Sequence, residues 1–184
     1  AFMREVPFHL ALKTAFERFG CEGWGVVFAG PPNDRALETT RETWVDADTL
    51  ETRTTLRTPA GELTSAQRLS REEPGWCTER PLKDLRRDLA AWELAAFGGE
   101  PEAIDVGPLI KARTEVGDSY LLEFWLGVPF FDFWANAREG GFETGIFDFT
   151  DPDLEPYLLK LRERYTERLV RTARVICTQS PMES

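Results

Sequence analysis

The sequence predicts an α/β fold in which strands and helices alternate around a largely parallel sheet. In the second half of the chain, apolar runs of strand length alternate with segments of helical periodicity, an order typical of parallel β/α units. Residues 40–70 differ, because their Thr-rich runs alternate with a rough period of two. We therefore expect a single domain over residues 1–184, with an antiparallel β-meander as an excursion at residues 40–70.

The composition is that of a globular protein, with 42% hydrophobic and 29% charged residues. The formal net charge is −10, since 32 acidic residues outnumber 22 basic ones. This excess of acid disfavours nucleic acid and anionic membrane surfaces as partners, because both need clustered Lys and Arg. No run approaches the roughly 20 apolar residues of a membrane span. Three widely spaced cysteines predict reduced thiols in a cytoplasmic protein: Cys21, Cys77 and Cys177.

The elements of the first half follow from apolar spacing and from the residues that end each run. Residues 6–20 carry apolar side chains at helical spacing and end at Gly20, a typical helix stop. The run "WGVVFA" (24–29) precedes "GPPN", which predicts a buried strand followed by a turn. Within the meander, the Pro-Ala-Gly segment at 59–61 predicts the tighter turn.

The second half supplies the β/α alternation. We predict helices at 81–97, 101–117, 128–141 and 151–173, and strands at 119–126 and 175–180. The last junction is abrupt, because loops between a helix and a strand usually take about 2–6 residues. Either the helix stops early, or residues are missing between Ala173 and Val175.

Few side chains form a recognisable catalytic motif. His9 is the only histidine, so any Ser-His-Asp or Cys-His arrangement would have to use it, and we expect a structural role instead. The cysteines lack C-x-x-C or H-x-C spacing, which disfavours a zinc site made from this segment alone. The segment "GCEGWG" (20–25) follows a helix rather than a strand, so it lacks the context of a dinucleotide-binding loop.

The loops after the predicted strands are the better candidates for a site, because ligands of parallel β/α proteins meet the carboxyl ends of the strands. Those loops span residues 29–33, 127–131 and 179–184. The polar residues of the third loop could bind substrate or cap the next helix, and the aromatic residues near the second could form an apolar wall or core. The predicted substrate-binding residues are Ser180, Gln179, Glu183, Phe130 and Trp125.

Four segments together resemble the uroporphyrinogen decarboxylase superfamily. "GVPFFDFWANAREGG" (127–141) resembles its Gly-Ala-Pro, helix and Glu-Gly-Gly segment, and the residues at 148–170 resemble the helix that follows. "VICTQSPMES" (175–184) resembles a strand with a polar tip. "TPAGELTSAQRLSREEPGW" (58–76) resembles the β-meander of the methyltransferase-like branch. The resemblance covers roughly residues 50–184.

This resemblance implies a (β/α)8 TIM barrel, of which the chain would cover roughly the first half. It implies methyl transfer from a small-molecule or corrinoid donor to a thiol-type acceptor, with a corrinoid protein as partner and zinc ligands outside this segment. Ser180 matches a substrate-contacting Ser of the decarboxylases, whereas their Tyr before Glu-Gly-Gly is replaced by Asn136 or Ala135, which favours the methyltransferase-like branch. Half a barrel would leave open sheet edges, so we expect a fragment of a longer chain.

Two alternative functions stay open. One is cofactor-independent decarboxylation of a porphyrinogen-like substrate, in which cationic groups hold carboxylates and stabilise a carbanion-like transition state. The other is a non-catalytic barrel that binds a small molecule. A homo-oligomer is compatible with each of these functions.

Overall fold

The computed structural model describes residues 7–32, 38–46, 48–118 and 120–180. These residues divide into two compact units. The first unit comprises the described residues of Ala1–Pro32, Glu100–Gly127 and Thr166–Ser184, and the second comprises those of Asn33–Gly99 and Val128–Tyr165. A two-stranded parallel sheet lies in the first unit and a four-stranded antiparallel sheet in the second.

The helices and strands alternate irregularly along the chain. In order they are α1 (Phe8–Phe19), β1 (Gly23–Val27), β2 (Glu38–Val45), β3 (Thr49–Thr58), β4 (Gly61–Ser70), β5 (Trp76–Glu79), α2 (Leu85–Phe97), α3 (Gly107–Val116), β6 (Tyr120–Phe124), α4 (Phe130–Ala137), α5 (Gly141–Thr150) and α6 (Glu155–Gln179). A short 3-10 helix, Pro101–Ala103, precedes α3. No helix in the described ranges is both long enough and apolar enough for a membrane span.

The first unit is built on β1 and β6, which pair in parallel with Gly23 opposite Tyr120 and Val27 opposite Phe124. Helix α1 packs against β1 and α3. Apolar side chains from both strands, α3 and the end of α6 form one buried cluster, so the second half of α6 belongs to this core. Its members are Val27, Ile104, Leu109, Ala112, Val116, Tyr120, Leu122, Val175 and Ile176.

The second unit is built on a meander in which β2, β3, β4 and β5 are neighbours in sequence order. The turn between β3 and β4 is closed by Thr58, whose hydroxyl donates to the Gly61 carbonyl at 2.9 Å and accepts from the Ala60 amide at 3.1 Å. Gly61 has a φ of 143°, a backbone region that favours glycine. Helix α2 packs on β4, which covers part of the sheet.

The core of the second unit is aromatic. Trp134 on α4 is fully buried and meets Trp92 of α2 edge to face, with 5.6 Å between ring centroids. Phe133 stacks on Tyr165 at 4.3 Å, so α4 also packs against α6. Aromatic side chains bury large areas and gain further from such pairings, so this cluster contributes strongly to the stability of the unit.

The structure contradicts the predicted (β/α)8 barrel. Among the described residues, β1 and β6 are the one pair of parallel strands, and the larger sheet is antiparallel throughout. A barrel of this class needs eight parallel strands that each precede a helix. The described chain is instead a mixed α/β structure without an eightfold repeat.

The predicted strand at 175–180 is also wrong, because those residues form the end of α6. Leu158, Leu161 and Tyr165 begin a buried face that Thr172, Val175 and Ile176 continue at the three-to-four-residue spacing of a helix. The helix runs unbroken through residues 173–175, so the expected junction between a helix and a strand does not exist there and no connecting loop is needed. The predicted helix at 128–141 ends earlier, at Ala137, and a separate helix that was not predicted, α5, begins after Gly140, whose φ is 84°.

Candidate functional site

The candidate site lies at the carboxyl ends of β1 and β6, the edge at which open α/β sheets bind ligands. Phe28 follows β1 and is 65% exposed, and Trp125 follows β6 and is 52% exposed. The Trp125 amide donates to the Val27 carbonyl at 3.3 Å, so the two segments leave the sheet side by side. Leu126 is also exposed. Phe28, Trp125 and Leu126 are named here the strand-end cluster.

Tyr120 holds the two strands together on their buried face. Its hydroxyl donates to the Trp24 carbonyl at 2.6 Å. Its ring lies against two glycines of β1, because a Cβ built on Gly23 would be 2.1 Å from Tyr120 Cδ2 and one on Gly25 would be 2.9 Å from the hydroxyl oxygen. Burial raises the pKa of Tyr120, which keeps the hydroxyl protonated as a donor. The strand-end cluster therefore stands on a closely packed support.

His9 joins two helices of the first unit. Its Nε2 lies 2.9 Å from Oε2 of Glu115, and the Lys13 ammonium donates to the Glu115 carbonyl at 3.2 Å. These contacts connect α1 to α3. They give the single histidine a structural partner, in keeping with the role expected from the sequence.

The structure places the predicted substrate-binding residues on separate elements. Gln179 is the last residue of α6 and is exposed. The Ser180 hydroxyl donates to the Ile176 carbonyl at 2.9 Å and so caps the end of the helix. Glu183 lies outside the described residues. Phe130 is only 9% exposed and packs against Phe133, Phe149 and Tyr165 in the aromatic core.

Trp125 is thus the predicted residue that belongs to the strand-end cluster, and Phe28 and Leu126 are the members that the sequence analysis missed. Phe28 stands near the end of the predicted strand "WGVVFA", so its position at the carboxyl end was available from the sequence. The Gly-x-Gly pattern at 23–25 also carried a signal, since glycine in a strand often marks close approach by another group. That group is the Tyr120 ring.

A second polar cluster on the meander has the residue types of a catalytic constellation. The Thr64 hydroxyl donates to Glu79 Oε1 at 2.5 Å, and the Lys83 ammonium lies 2.6 Å from both of those oxygen atoms. The Arg53 guanidinium donates to the other oxygen of Glu79 at 2.9 Å. The four side chains connect β3, β4 and β5 to the start of α2.

The electrostatics of this cluster make it structural rather than catalytic. Burial raises the pKa of Glu79, but hydrogen bonds from Lys83, Thr64 and Arg53 outweigh that effect and bring the pKa to about 2. A carboxylate with so low a pKa is a poor general base at neutral pH. Glu79 therefore accepts hydrogen bonds from its neighbours without activating the Thr64 hydroxyl as a nucleophile.

A zinc site does not fit the described residues. No group of three or more His, Cys, Asp or Glu side chains in these ranges could hold a metal ion. Cys21 and Cys177 are exposed free thiols, and the half-buried Cys77 thiol donates to the Glu79 carbonyl at 3.2 Å. Chemistry at zinc is therefore not assigned to any of these side chains.

Comparisons of the chain with protein families, with curated proteins and with solved structures find no match.

Proposed function

We propose that the strand-end cluster is part of the substrate surface of a cytoplasmic enzyme that transfers a methyl group from a small-molecule or corrinoid donor to a thiol-type acceptor. The observation that carries the proposal is the pair of exposed aromatic side chains, Phe28 and Trp125, at the carboxyl ends of two parallel strands. The segment at 58–76, which resembles the methyltransferase-like branch, supports methyl transfer as the reaction, as does Asn136 or Ala135 where the decarboxylases carry a Tyr.

The cluster suits this chemistry because its three side chains are apolar. In methyl transfer the donor–carbon bond breaks and the donor keeps the bonding electrons, while the acceptor thiol gives up its proton to solvent and its sulfur forms the new S–C bond. Water competes for the methyl group, and an apolar surface lowers its access to the reacting atoms. Large planar side chains also give a flat donor such as a corrin ring a surface to lie on.

Decarboxylation of a highly carboxylated substrate is less well supported by this surface. Such a reaction needs cations that hold the carboxylates. The strand-end cluster offers an indole, a phenyl ring and an isobutyl group, and the chain carries a net charge of −10. We therefore adopt methyl transfer, with a corrinoid protein as partner when the donor is a corrinoid.

The direct test combines methylcobalamin binding with turnover in the presence of a small alkyl thiol, with and without added zinc. We expect binding, loss of the methylcobalamin absorption spectrum, and formation of the methyl thioether. Trp125→Ala and Phe28→Ala should each weaken binding by roughly tenfold, since an aromatic contact contributes about 1 kcal/mol beyond its buried area. Trp76→Ala is the matched control, because Trp76 is an exposed tryptophan on the meander.

The outcomes separate the functions. Binding without transfer would favour a non-catalytic binding protein and overturn the enzymatic assignment. Equal losses in Trp76→Ala and Trp125→Ala would overturn the placement of the site at the strand ends. Failure to bind methylcobalamin, together with turnover of a porphyrinogen, would replace methyl transfer with decarboxylation.

A further inference from the structure

A cleft of about 430 Å³ opens on the charged face of the meander, in the second unit. Its volume falls in the range of small-molecule sites. It is lined by three strands and by the segment after β2, and its residues are distinct from the strand-end cluster and from the buried core. They are Trp44, Asp46, Thr49, Glu51, Arg53 and Arg68.

The strand register sets three of these residues in a row. Trp44 on β2 is opposite Glu51 on β3, and Glu51 is opposite Arg68 on β4. Directly opposed residues of antiparallel strands share one face of the sheet, and neighbouring strands are about 4.8 Å apart. An aromatic ring, a carboxylate and a guanidinium therefore follow one another across the face at this spacing.

The two arginines of the cleft differ in what they already bind. Arg53 pairs with Glu79 at 2.9 Å and so contributes to the meander's own polar cluster. Arg68, which shares the face with Glu51, has no ion-pair partner among the residues that the structure describes. A guanidinium group without an ion-pair partner presents two parallel N–H donors that match the two oxygens of a ligand carboxylate.

The other end of the row suits a cation. The Trp44 side chain is 50% exposed. The Glu51 and Asp46 carboxylates line the cleft beside it. An aromatic face combined with carboxylates attracts an ammonium group, because both the ring quadrupole and the anions favour positive charge. The cleft therefore separates a cation-binding side from an anion-binding side by about one strand spacing.

We propose that this meander cleft binds a small zwitterion of the amino-acid type. The ligand carboxylate pairs with Arg68, its ammonium group lies against Glu51 and Asp46, and its hydrophobic part packs on Trp44. A simple anion would be repelled by the two carboxylates, and a simple cation would be repelled by Arg68, so the arrangement selects a molecule that carries both charges.

The test compares three probes that share a phenylethyl skeleton and differ in which charged groups they carry. L-Phenylalanine is a zwitterion, 3-phenylpropanoate has only the carboxylate, and phenethylamine has only the ammonium group. Calorimetric titration of the full chain should show that L-phenylalanine binds roughly tenfold more tightly than either single-charge probe, because one charge-assisted hydrogen bond is lost with each. Equal affinities, or no binding of L-phenylalanine up to about 10 mM, would overturn the proposal.

Variants then assign the two charges. Arg68→Gln should lower the affinity for L-phenylalanine roughly tenfold and leave that for phenethylamine unchanged or higher, whereas Glu51→Gln should leave the affinity for 3-phenylpropanoate unchanged. Arg68→Lys should recover part of the loss, since it restores the charge without the paired donors. Arg57→Gln is the matched control, because Arg57 is on β3, pairs with Glu62 at 3.0 Å and lies outside the cleft.

Two further outcomes decide against the cleft. A loss in Arg57→Gln equal to that in Arg68→Gln would show that the general charge of the sheet, rather than the cleft, governs binding. Circular dichroism would confirm that Arg68→Gln and Arg68→Lys are folded. If both folded variants bound L-phenylalanine as tightly as the original protein does, Arg68 would not be part of the site. Because these residues are separate from the strand-end cluster, methylcobalamin binding should be the same in all of these variants.

Discussion

The indole N–H of Trp134 donates to Oδ2 of Asp148 at 2.9 Å, and both residues are buried. The same oxygen accepts from Nε of Arg138 at 2.9 Å. Arg138 also donates to the Leu82 carbonyl at 3.1 Å. One carboxylate of α5 thus fixes α4 and, through Arg138, the segment that precedes α2.

Replacing this carboxylate should therefore be costly. We expect Asp148→Asn to lower the free energy of unfolding by about 3–5 kcal/mol, because it leaves the mostly buried Arg138 without its counter-charge. Urea denaturation measures the loss. Glu143→Gln, at an exposed position of the same helix, is the control and should change the free energy by less than about 0.5 kcal/mol. Similar values for the two variants would contradict the buried network.

The contact between Gly23 and Tyr120 gives a second prediction. Gly23→Ala would place a methyl group 2.1 Å from Tyr120 Cδ2, so the strands must shift or the ring must move. We expect a loss of about 1–3 kcal/mol in thermal or urea unfolding. Gly30→Ala has no atom within 4 Å of the new Cβ and should be neutral or slightly stabilising. A neutral Gly23→Ala would mean that the ring does not lie across β1.

Acid should destabilise the second unit through Glu79 and Asp88. Burial raises the pKa of Asp88, but hydrogen bonds from the Arg87 side chain and from the Asp84 and Lys83 amides outweigh it, which gives a pKa of about 2. Glu79 has a similar value. In the unfolded chain, both Asp and Glu have a pKa of about 4. A carboxyl group whose pKa is lower in the folded state stabilises the fold fully at a pH above that unfolded value, and this stabilisation is lost as the pH falls towards 2.

The free energy of unfolding should accordingly fall between about pH 5 and pH 2, by an amount on the order of 2 kcal/mol for each group. Urea midpoints measured across this range test the expectation. Glu79→Gln and Asp88→Asn should each be less stable at pH 7 and show a shallower decline with acid. A decline as steep as that of the original protein would contradict the assigned ion pairs.

Phe130 and Trp125 were both predicted to line the substrate site, but they lie in different environments, so their substitution should affect stability differently. Phe130→Ala should cost about 3–5 kcal/mol, because it opens a cavity in the aromatic core. Trp125→Ala should change stability much less, by less than about 1 kcal/mol, since the residue is 52% exposed and leaves no buried cavity. Chemical denaturation of the two variants provides the measurement, and comparable losses would contradict this division.

Local patterns in the sequence located several elements well. The helix expected at 6–20 is Phe8–Phe19, and the strand expected at 24–29 is Gly23–Val27. In both segments the periodicity extends over the whole element and a Gly or Pro cluster ends it. Helix α5 was missed because Gly140 and Gly141 were interpreted as the end of the preceding helix, although Gly141 begins α5.

The end of α6 shows why a short apolar run is ambiguous. "VICTQS" has β-branched residues and the length of a strand, so local propensity favoured a strand. The buried positions from Leu158 to Ile176 instead keep a helical period over most of the 25-residue α6, and tertiary packing prevails over propensity. The resemblance to a barrel family made the same error larger, because it implied further parallel strands. The strand-end cluster could not be predicted in full, because it depends on the pairing of β1 with β6, which no single segment of the sequence specifies.

The six tryptophans of this chain are divided between two environments. Trp92 and Trp134 are buried in the aromatic core, whereas Trp24, Trp44, Trp76 and Trp125 are exposed. A water-soluble quencher such as iodide would extinguish emission from the exposed group and spare the buried pair. The protein thus contains its own fluorescent reporters. Emission from the buried pair, which iodide does not quench, follows unfolding of the second unit. Quenching of the exposed group follows ligand binding at the strand ends, through Trp125, and in the meander cleft, through Trp44.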